Sequence, residues 1–265
     1  MKIATWNVNS VNARLPTVLR WFEAFAPDIA CLQEIKCVDE KFPADAFEDL
    51  GYNVAVHGQK TYNGVALLSK HPLEDVAAGL AGDPGDEQAR YLEALATPDD
   101  GAPVRIGCLY LPNGNPAPGP KYDYKLAWMD RLKARAEALL SIEETFVLAG
   151  DYNVIPTASD VHDPAAWADD ALYRLETRRR YRALVNLGLT DALAQIRGAA
   201  GDYTFWDYQG GAWPKDHGIR IDHLLLSPQA ADRLVDAGVE RQTRGWEKPS
   251  DHAPVWAEFT GAALS

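Results

Sequence analysis

Cysteine is scarce in this chain. Its 265 residues include three, Cys31, Cys37 and Cys108, an odd number without the C-x-x-C spacing of a zinc or redox site. Cys31 and Cys108 fall inside apolar runs, so they read as buried thiols in a reducing compartment. Positive charge is also short. Lys and Arg total 26 against 38 Asp and Glu, a formal charge of −12, which argues against a general polyanion binder with a basic footprint. It does not exclude an enzyme acting on nucleic acid, because acids around a divalent cation count as negative although the ion neutralises part of them. Long hydrophobic runs are missing too: no apolar stretch approaches the roughly 18 residues of a membrane span. The opening MKIATWN reaches polar Asn7 before a signal-peptide core could form. The expectation is a soluble, cytoplasmic protein with no membrane partner. There is no G-x-S-x-G nucleophile motif, which favours direct attack by water in any hydrolysis.

What is present points to an α/β protein. With 47% apolar residues and no visible linker or repeat, residues 1–265 read as a single domain. The only biased tract is the proline-rich NGNPAPGP at 113–120. Short apolar runs at 3–6, 29–32, 65–68, 104–110, 146–149, 219–226 and 253–257 read as buried strands. Segments 11–25, 122–140 and 171–187 have helical spacing, the last with a dense basic face. Strands and helices mixed over this length imply helices covering sheets.

The informative regularity lies where the apolar runs end. Residues 3–6 lead to Asn7, 29–32 to Gln33 and Glu34, 104–110 to Asn113, and 146–149 to Gly150, Asp151 and Asn153, while Asp222 sits inside 219–226. Any one of these could be turn chemistry. Together they suggest strand ends converging on a ligand site, where a rigid sheet holds loops from several strands.

Oxygen donors without clustered Cys or His suit a hard cation such as Mg²⁺. Glu34 is the first candidate ligand, since a charge at the end of an apolar strand needs compensation; a salt bridge to Lys36 is the competing explanation. Asn7 could orient Glu34 or bind the metal through water. Asp151 could take a proton from attacking water, with Asn153 holding that water or a phosphate oxygen. His252, preceded by Asp251, needs an orienting acid, and Asp222 offers one; a carboxylate against imidazole favours the charged ring and should raise its pKa. Asn113 and the Tyr110 hydroxyl are candidate donors to a pentavalent transition state.

The same residues carry a family resemblance. WNVN at 6–9, LQEIK at 32–36, NGVA at 63–66, YLPNG at 110–114, GDYN at 150–153, YTFWDY at 203–208, RID at 220–222 and SDHAPV at 250–255 resemble, in order, the motifs of the exonuclease III family of abasic-site endonucleases. The likeness runs from about residue 2 to 259. It implies a four-layered α/β sandwich: two mixed β-sheets packed face to face, with helices on the outside. It also implies Mg²⁺- or Mn²⁺-dependent hydrolysis of double-stranded DNA, 5′ to abasic sites and at blocked 3′ ends, with 3′ to 5′ exonuclease action, by a monomer. By resemblance Glu34, Asn7, Asp251, Asp151 and Asn153 would surround the metal. Tyr110, Asp151, Asn153, Asp222 and His252 would carry catalysis, with the choice between Asp151 and Tyr110 as base, and between one metal and two, left open.

The aromatics of YTFWDY, in an alternating strand, read first as core. Within the resemblance Phe205, with Ile219 and Ile221, would instead wall a pocket for an extruded sugar without its base, which has little stacking to lose, and Trp206 is a further candidate substrate contact. Some relatives have Trp where this chain has Ile219, so a smaller wall could relax abasic selectivity or favour exonuclease work. Asn9, Asn113, Arg90 and Lys125 are candidate substrate contacts. Arg178, Arg179, Arg180 and Arg182 read as a solvated helix face that could instead meet phosphates. Two other readings compete: a phosphodiesterase or phosphatase acting on inositol phosphates or sphingolipids, and a DNA-end binder that has lost its chemistry. The TFWDY and PNG segments favour DNA over the first, and the full catalytic set argues against the second.

Overall fold

The computed structural model describes residues 1–98, 103–198 and 202–261. Alternation along the strands explains its layering. In β1 (Lys2–Asn7), Ile3 faces a core built from both sheets, while Ala4 and Trp6 face the opposite way. A strand whose two faces are both buried needs apolar residues at odd and even positions alike, which is why these segments read as continuous apolar runs.

The first sheet has the order β11-β12-β1-β2-β4-β3, with β2 (Ile29–Gln33), β3 (Asn53–His57), β4 (Val65–Ser69), β11 (Leu234–Val239) and β12 (Val255–Phe259). The second has the order β5-β6-β7-β8-β10-β9, with β5 (Leu73–Ala78), β6 (Tyr91–Ala96), β7 (Val104–Tyr110), β8 (Phe146–Asp151), β9 (Thr190–Asp191) and β10 (Asp222–Leu226). Each sheet holds one parallel pair at its centre, β1 with β2 and β7 with β8, and is otherwise antiparallel. The inner faces meet through residues such as Ile29, Val65, Ile106, Val147 and Leu224. Helices α1 (Leu15–Phe25) and α2 (Ala44–Glu48) cover the first sheet through Trp21, Phe22 and Phe47. Helices α3 (Pro120–Ser141) and α4 (Leu175–Val185) cover the second through Trp128, Leu132, Tyr181 and Leu184. The four-layered sandwich expected from the resemblance is the observed fold.

Some elements differ from the expectation. The run 219–226 forms a strand only from Asp222, because Ile219 bridges instead to Val161 and Phe205. The helix expected over 171–187 begins at Leu175. Strands β3, β5, β6, β9 and β11 are not marked by the sequence pattern. The first and second of these lie at sheet edges with half-buried or exposed residues, so they lack the apolar runs that mark the central strands.

Candidate active site

The topology brings the polar strand ends to one end of the sandwich. Asn7 pairs with Gln33 across the parallel β1–β2 pair, and Tyr110 with Asp151 across β7–β8. Asp222 starts β10 opposite Asp151. The turn before β12 brings in Asp251 and His252, held by Ser250 Oγ donating to the Asn7 carbonyl at 2.6 Å and by Trp6 Nε1 donating to the His252 carbonyl at 3.0 Å. Gly150 is required by close approach: a Cβ there would run into the Leu109 carbonyl oxygen. Past these strand ends the backbone turns through the left-handed region at Glu34 (φ 50°) and Asn153 (φ 49°), an uncommon conformation for a side-chain-bearing residue and one that collects at functional sites.

Asn7 links the two sheets. Its Nδ2 donates to Glu34 Oε1 at 2.8 Å and to Asp151 Oδ2 at 3.0 Å, while its Oδ1 accepts the Asn9 backbone N–H at 3.0 Å. Asp151 Oδ1 accepts the Asn153 backbone N–H at 2.9 Å. Across from them His252 Nδ1 lies 2.8 Å from Asp222 Oδ2, which also accepts from Thr204 Oγ1 at 2.6 Å. His252 Nε2 is 3.7 Å from Asp151 Oδ2.

Burial works against a charge on His252, but the carboxylates of Asp222 and then Asp151 outweigh it and lift its pKa to about 10. The ring is therefore an imidazolium at neutral pH, with Nδ1–H donated to Asp222. Asp151 is pushed up to about 7, chiefly by burial and also by the Asp222 charge, against the opposing pull of His252. Glu34 is held below the ordinary carboxylate range: burial raises it, but Lys36 and the Asn7 amide lower it further. The Lys36 salt bridge forms, with Nζ 2.8 Å from Glu34 Oε2, and the same ammonium donates to Asn9 Oδ1 at 2.6 Å. Asn9 Nδ2 in turn donates to Asp251 Oδ1 at 3.1 Å. The salt bridge and the site role are compatible, since Lys36 fixes one Glu34 oxygen and leaves the carboxylate on the cleft wall.

A cleft of about 290 Å³ opens over this assembly. Of the residues singled out in the sequence, Glu34, Tyr110, Asn113, Asp151, Asn153, Phe205, Ile219, Ile221, Asp251 and His252 line it. A larger hollow, about 580 Å³, lies along β3 between Glu48 and Val76 but gathers none of the strand-end polar groups.

Several assignments need correction. Lys125 is fully buried, its Nζ donating to the Asn113 and Asn153 carbonyls at 3.0 and 2.5 Å, so it braces two loops from behind and does not face a phosphate. Burial depresses it to about 7, against the pull of Asp151 and Asp170. Trp206 is fully buried, with Nε1 donating to Asp216 Oδ1 at 2.9 Å and its ring against Trp213, so it packs behind the cleft and does not line it. Asn7 Oδ1 accepts the Asn9 N–H and Asn153 Oδ1 the Asn113 amide, each using one of the two lone pairs of its oxygen. Arg90 stacks on the Tyr110 ring with its guanidinium carbon 4.8 Å from the centroid, and it lines a neighbouring hollow. Among the helix arginines, Arg180 pairs with Asp130 and Arg178 lies over Tyr173. Sequence reasoning missed Asn115, Trp167, Asp170, Leu172 and Asp207 on the cleft. Asp207 lies within the YTFWDY motif, Asn115 in the proline-rich tract and Leu172 at the start of the segment read as helical; Trp167 and Asp170 sit where no periodicity marks them.

Asp151, Asp222 and His252 place donor atoms within 4.8 Å of one another, a buried group that could hold a metal ion. The endonuclease/exonuclease/phosphatase family model matches residues 4–252. The chain belongs to this family. Exodeoxyribonuclease III of Haemophilus influenzae is 34% identical over 267 residues, covering 98% of this chain and all of that protein. Among solved structures, an AP endonuclease from Archaeoglobus fulgidus superposes with a TM-score of 0.91 at 38% identity, covering 98% of this chain and 99% of that one. A 3′ phosphatase from Neisseria, solved with a product DNA hairpin, gives 0.93 at 40% identity with the same coverage. Like these family members the chain is an enzyme of the nuclease class. No helix among the described residues is long and apolar enough to cross a membrane.

Proposed function

We propose that this protein is a DNA-repair phosphodiesterase that hydrolyses duplex DNA 5′ to abasic sites, trims blocked 3′ ends and removes nucleotides 3′ to 5′. The observation that carries the reading is the geometry of buried His252, paired with Asp222 at 2.8 Å and facing Asp151 at 3.7 Å in a cleft whose wall also presents Glu34. His252 would donate Nε2–H to a phosphoryl oxygen as charge builds there, with Asp222 holding the ring in place. Asp151, kept protonatable near neutral pH and oriented by Asn7 and the Asn153 N–H, would take the proton from the attacking water. Burial, then the charges of Glu34 and Asp151, push the Tyr110 phenol well above its ordinary value, which suits it to donate a hydrogen bond and supports Asp151 as the base.

The donor set fits a hard divalent cation, Mg²⁺ or Mn²⁺. The Asp151, Asp222 and His252 group could take an ion only with the ring neutral, since a protonated His252 is not itself a ligand. Of the cleft carboxylates outside the His252 pairing, Glu34, Asp170, Asp207 and Asp251, Glu34 and Asp251 are the two joined through Lys36 and Asn9. Bound there, the ion would supply charge neutralisation on the phosphate. The three buried free cysteines suit a reducing cytoplasm, and we read residues 1–265 as one domain acting as a monomer. The test is a duplex with one tetrahydrofuran abasic analogue, beside recessed and 3′-phosphorylated duplexes, each with Mg²⁺ and with chelator. Metal-dependent cleavage is expected; no cleavage of any of them, or full activity in chelator, would refute the proposal.

A further inference from the structure

We propose that Trp167 forms a nucleobase subsite in the cleft, and so sets the preference for 3′-terminal nucleotides that keep their base over ends and sites that lack one. The inference rests on the DNA-hydrolase reading and adds a residue and a ligand class to it. The segment between β8 and α4 is irregular but tightly pinned. Thr157 and Asp160 form a capping box, and Asp160 accepts from Arg220 Nε at 2.6 Å. Further on, Asn115 Nδ2 lies 3.1 Å from both Asp170 oxygens, Asn115 Oδ1 accepts the Ala171 N–H at 3.1 Å, and Ile155 N–H donates to the Leu172 carbonyl at 2.9 Å. These contacts hold Trp167 as a half-buried indole on the cleft wall, packed on the apolar cluster that contains Leu172, Ile219 and Ile221.

The wall is more than a base-free sugar requires. Phe205 lines the same cleft, and its ring packs edge-on against the His252 imidazole, centroids 4.9 Å apart. Trp167 stacks on no other aromatic ring among the described residues; the indole is half-buried and lines the cleft, so part of its surface is open to a ligand there. A volume of about 290 Å³ corresponds to on the order of ten water volumes, which exceeds a five-membered sugar ring. An indole can pack on the C–H face of a sugar, but a base presents a larger flat π face that stacks on an aromatic side chain, so an intact nucleotide gains more from Trp167 than a base-free sugar does. An intact terminal nucleotide would use the extra room and the indole; a 3′-phosphate, with no sugar beyond it, would use neither.

The experiment compares Trp167→Ala and Trp167→Phe with the wild-type chain on three duplexes: an undamaged recessed 3′ end, a 3′-phosphate end and an internal tetrahydrofuran. The readout is the ratio of kcat/KM for release of a base-bearing nucleotide to that for 3′-phosphate removal. Trp167→Ala should lower this ratio about 5- to 150-fold, the worth of one base–aromatic stack, and Trp167→Phe should recover much of it. An unchanged ratio, including an equal loss on all three duplexes from a loosened wall, would overturn the subsite while leaving the proposed function standing. If the wild-type chain cleaves none of the three, both fall together.

Discussion

Asp222→Asn tests the electrostatic design of the site most directly. The substitution keeps size and shape but removes the charge 2.8 Å from His252 Nδ1. Unit charges at that distance with an effective dielectric of about 20 interact by ~6 kcal/mol, and at 1.36 kcal/mol per unit this is worth ~4 pKa units. His252 now stands at about 10, so without Asp222 it should titrate near ~6. The charge on Asp222 also raises Asp151, but the His252 charge that lowers Asp151 is the larger influence and is lost once the ring is neutral, so the change is carried by the His252 limb. The alkaline limb of the variant's pH–rate profile should therefore move to the acid side. Roughly two pH units above the new His252 value only ~1% of the ring stays charged, which costs ~100-fold in rate on the alkaline limb, and less as the pH is lowered. Two measurements check this: the pH dependence of kcat/KM on the tetrahydrofuran duplex, and NMR titration of the His252 ring nitrogens in metal-free protein. If His252 in Asp222→Asn still titrates near the wild-type value, the account of the imidazolium is wrong, whatever happens to the rate.

The same geometry sets the other expectations. Asp151→Asn should lower incision ~10²- to 10⁴-fold, the usual worth of a general base, while gel-shift affinity for the duplex stays close to wild type; a comparable rate would move the base elsewhere. In the wild-type enzyme, activity should rise as Asp151 loses its proton, with an upper bound near pH 7 for that limb, and fall as His252 loses its own near 10; a bound cation would draw the acid limb lower. Arg220 is buried and paired with Asp160 at 2.6 Å and Asp191 at 2.7 Å, so Arg220→Ala should cost about 3–5 kcal/mol in urea unfolding by stranding two acids. Burial raises Asp191, but Arg220 and then His223 hold it well below the ordinary carboxylate range. Its contribution to stability is therefore present above pH ~4 and lost as the pH falls below it, a loss that should be smaller in Arg220→Ala. DNA affinity should fall steeply with salt as lysines and arginines release counterions, despite the net charge of −12; a flat response would count against a DNA substrate.

Legibility in the sequence divides along physical lines. The central strands β1, β2, β4, β7 and β8 are buried on both faces, which calls for apolar residues at odd and even positions alike and makes them visible as runs. Strands β3 and β5 keep exposed residues, so no pattern separates them from loops. Glu34, Asp151, Asp222 and His252 are legible because each is a polar group where a buried strand begins or ends. Trp167 and Asp170 are not, because an irregular segment pinned by side-chain hydrogen bonds has no period to betray it, and Leu172 reads as helix although α4 begins only at Leu175. Lys125 misleads for a related reason: a lysine on a helix beside active-face loops reads as a surface cation, and only packing shows its ammonium capping two carbonyls in the interior.

The sequence by itself marked the central strands, the helices that cover sheets and the inventory of the chemistry, since apolar runs are local features of the chain, while the four layers came only as what the family resemblance implies. Which ends meet was a tertiary matter. The parallel pair in each sheet points both sets of strand ends the same way, and the face-to-face packing then brings Glu34 and Asn7 from one sheet against Asp151 and Asp222 from the other. Only that enclosure removes water from around His252 and Asp151, and with it come the shifted proton affinities, because burial and neighbouring charge act through space and not along the chain.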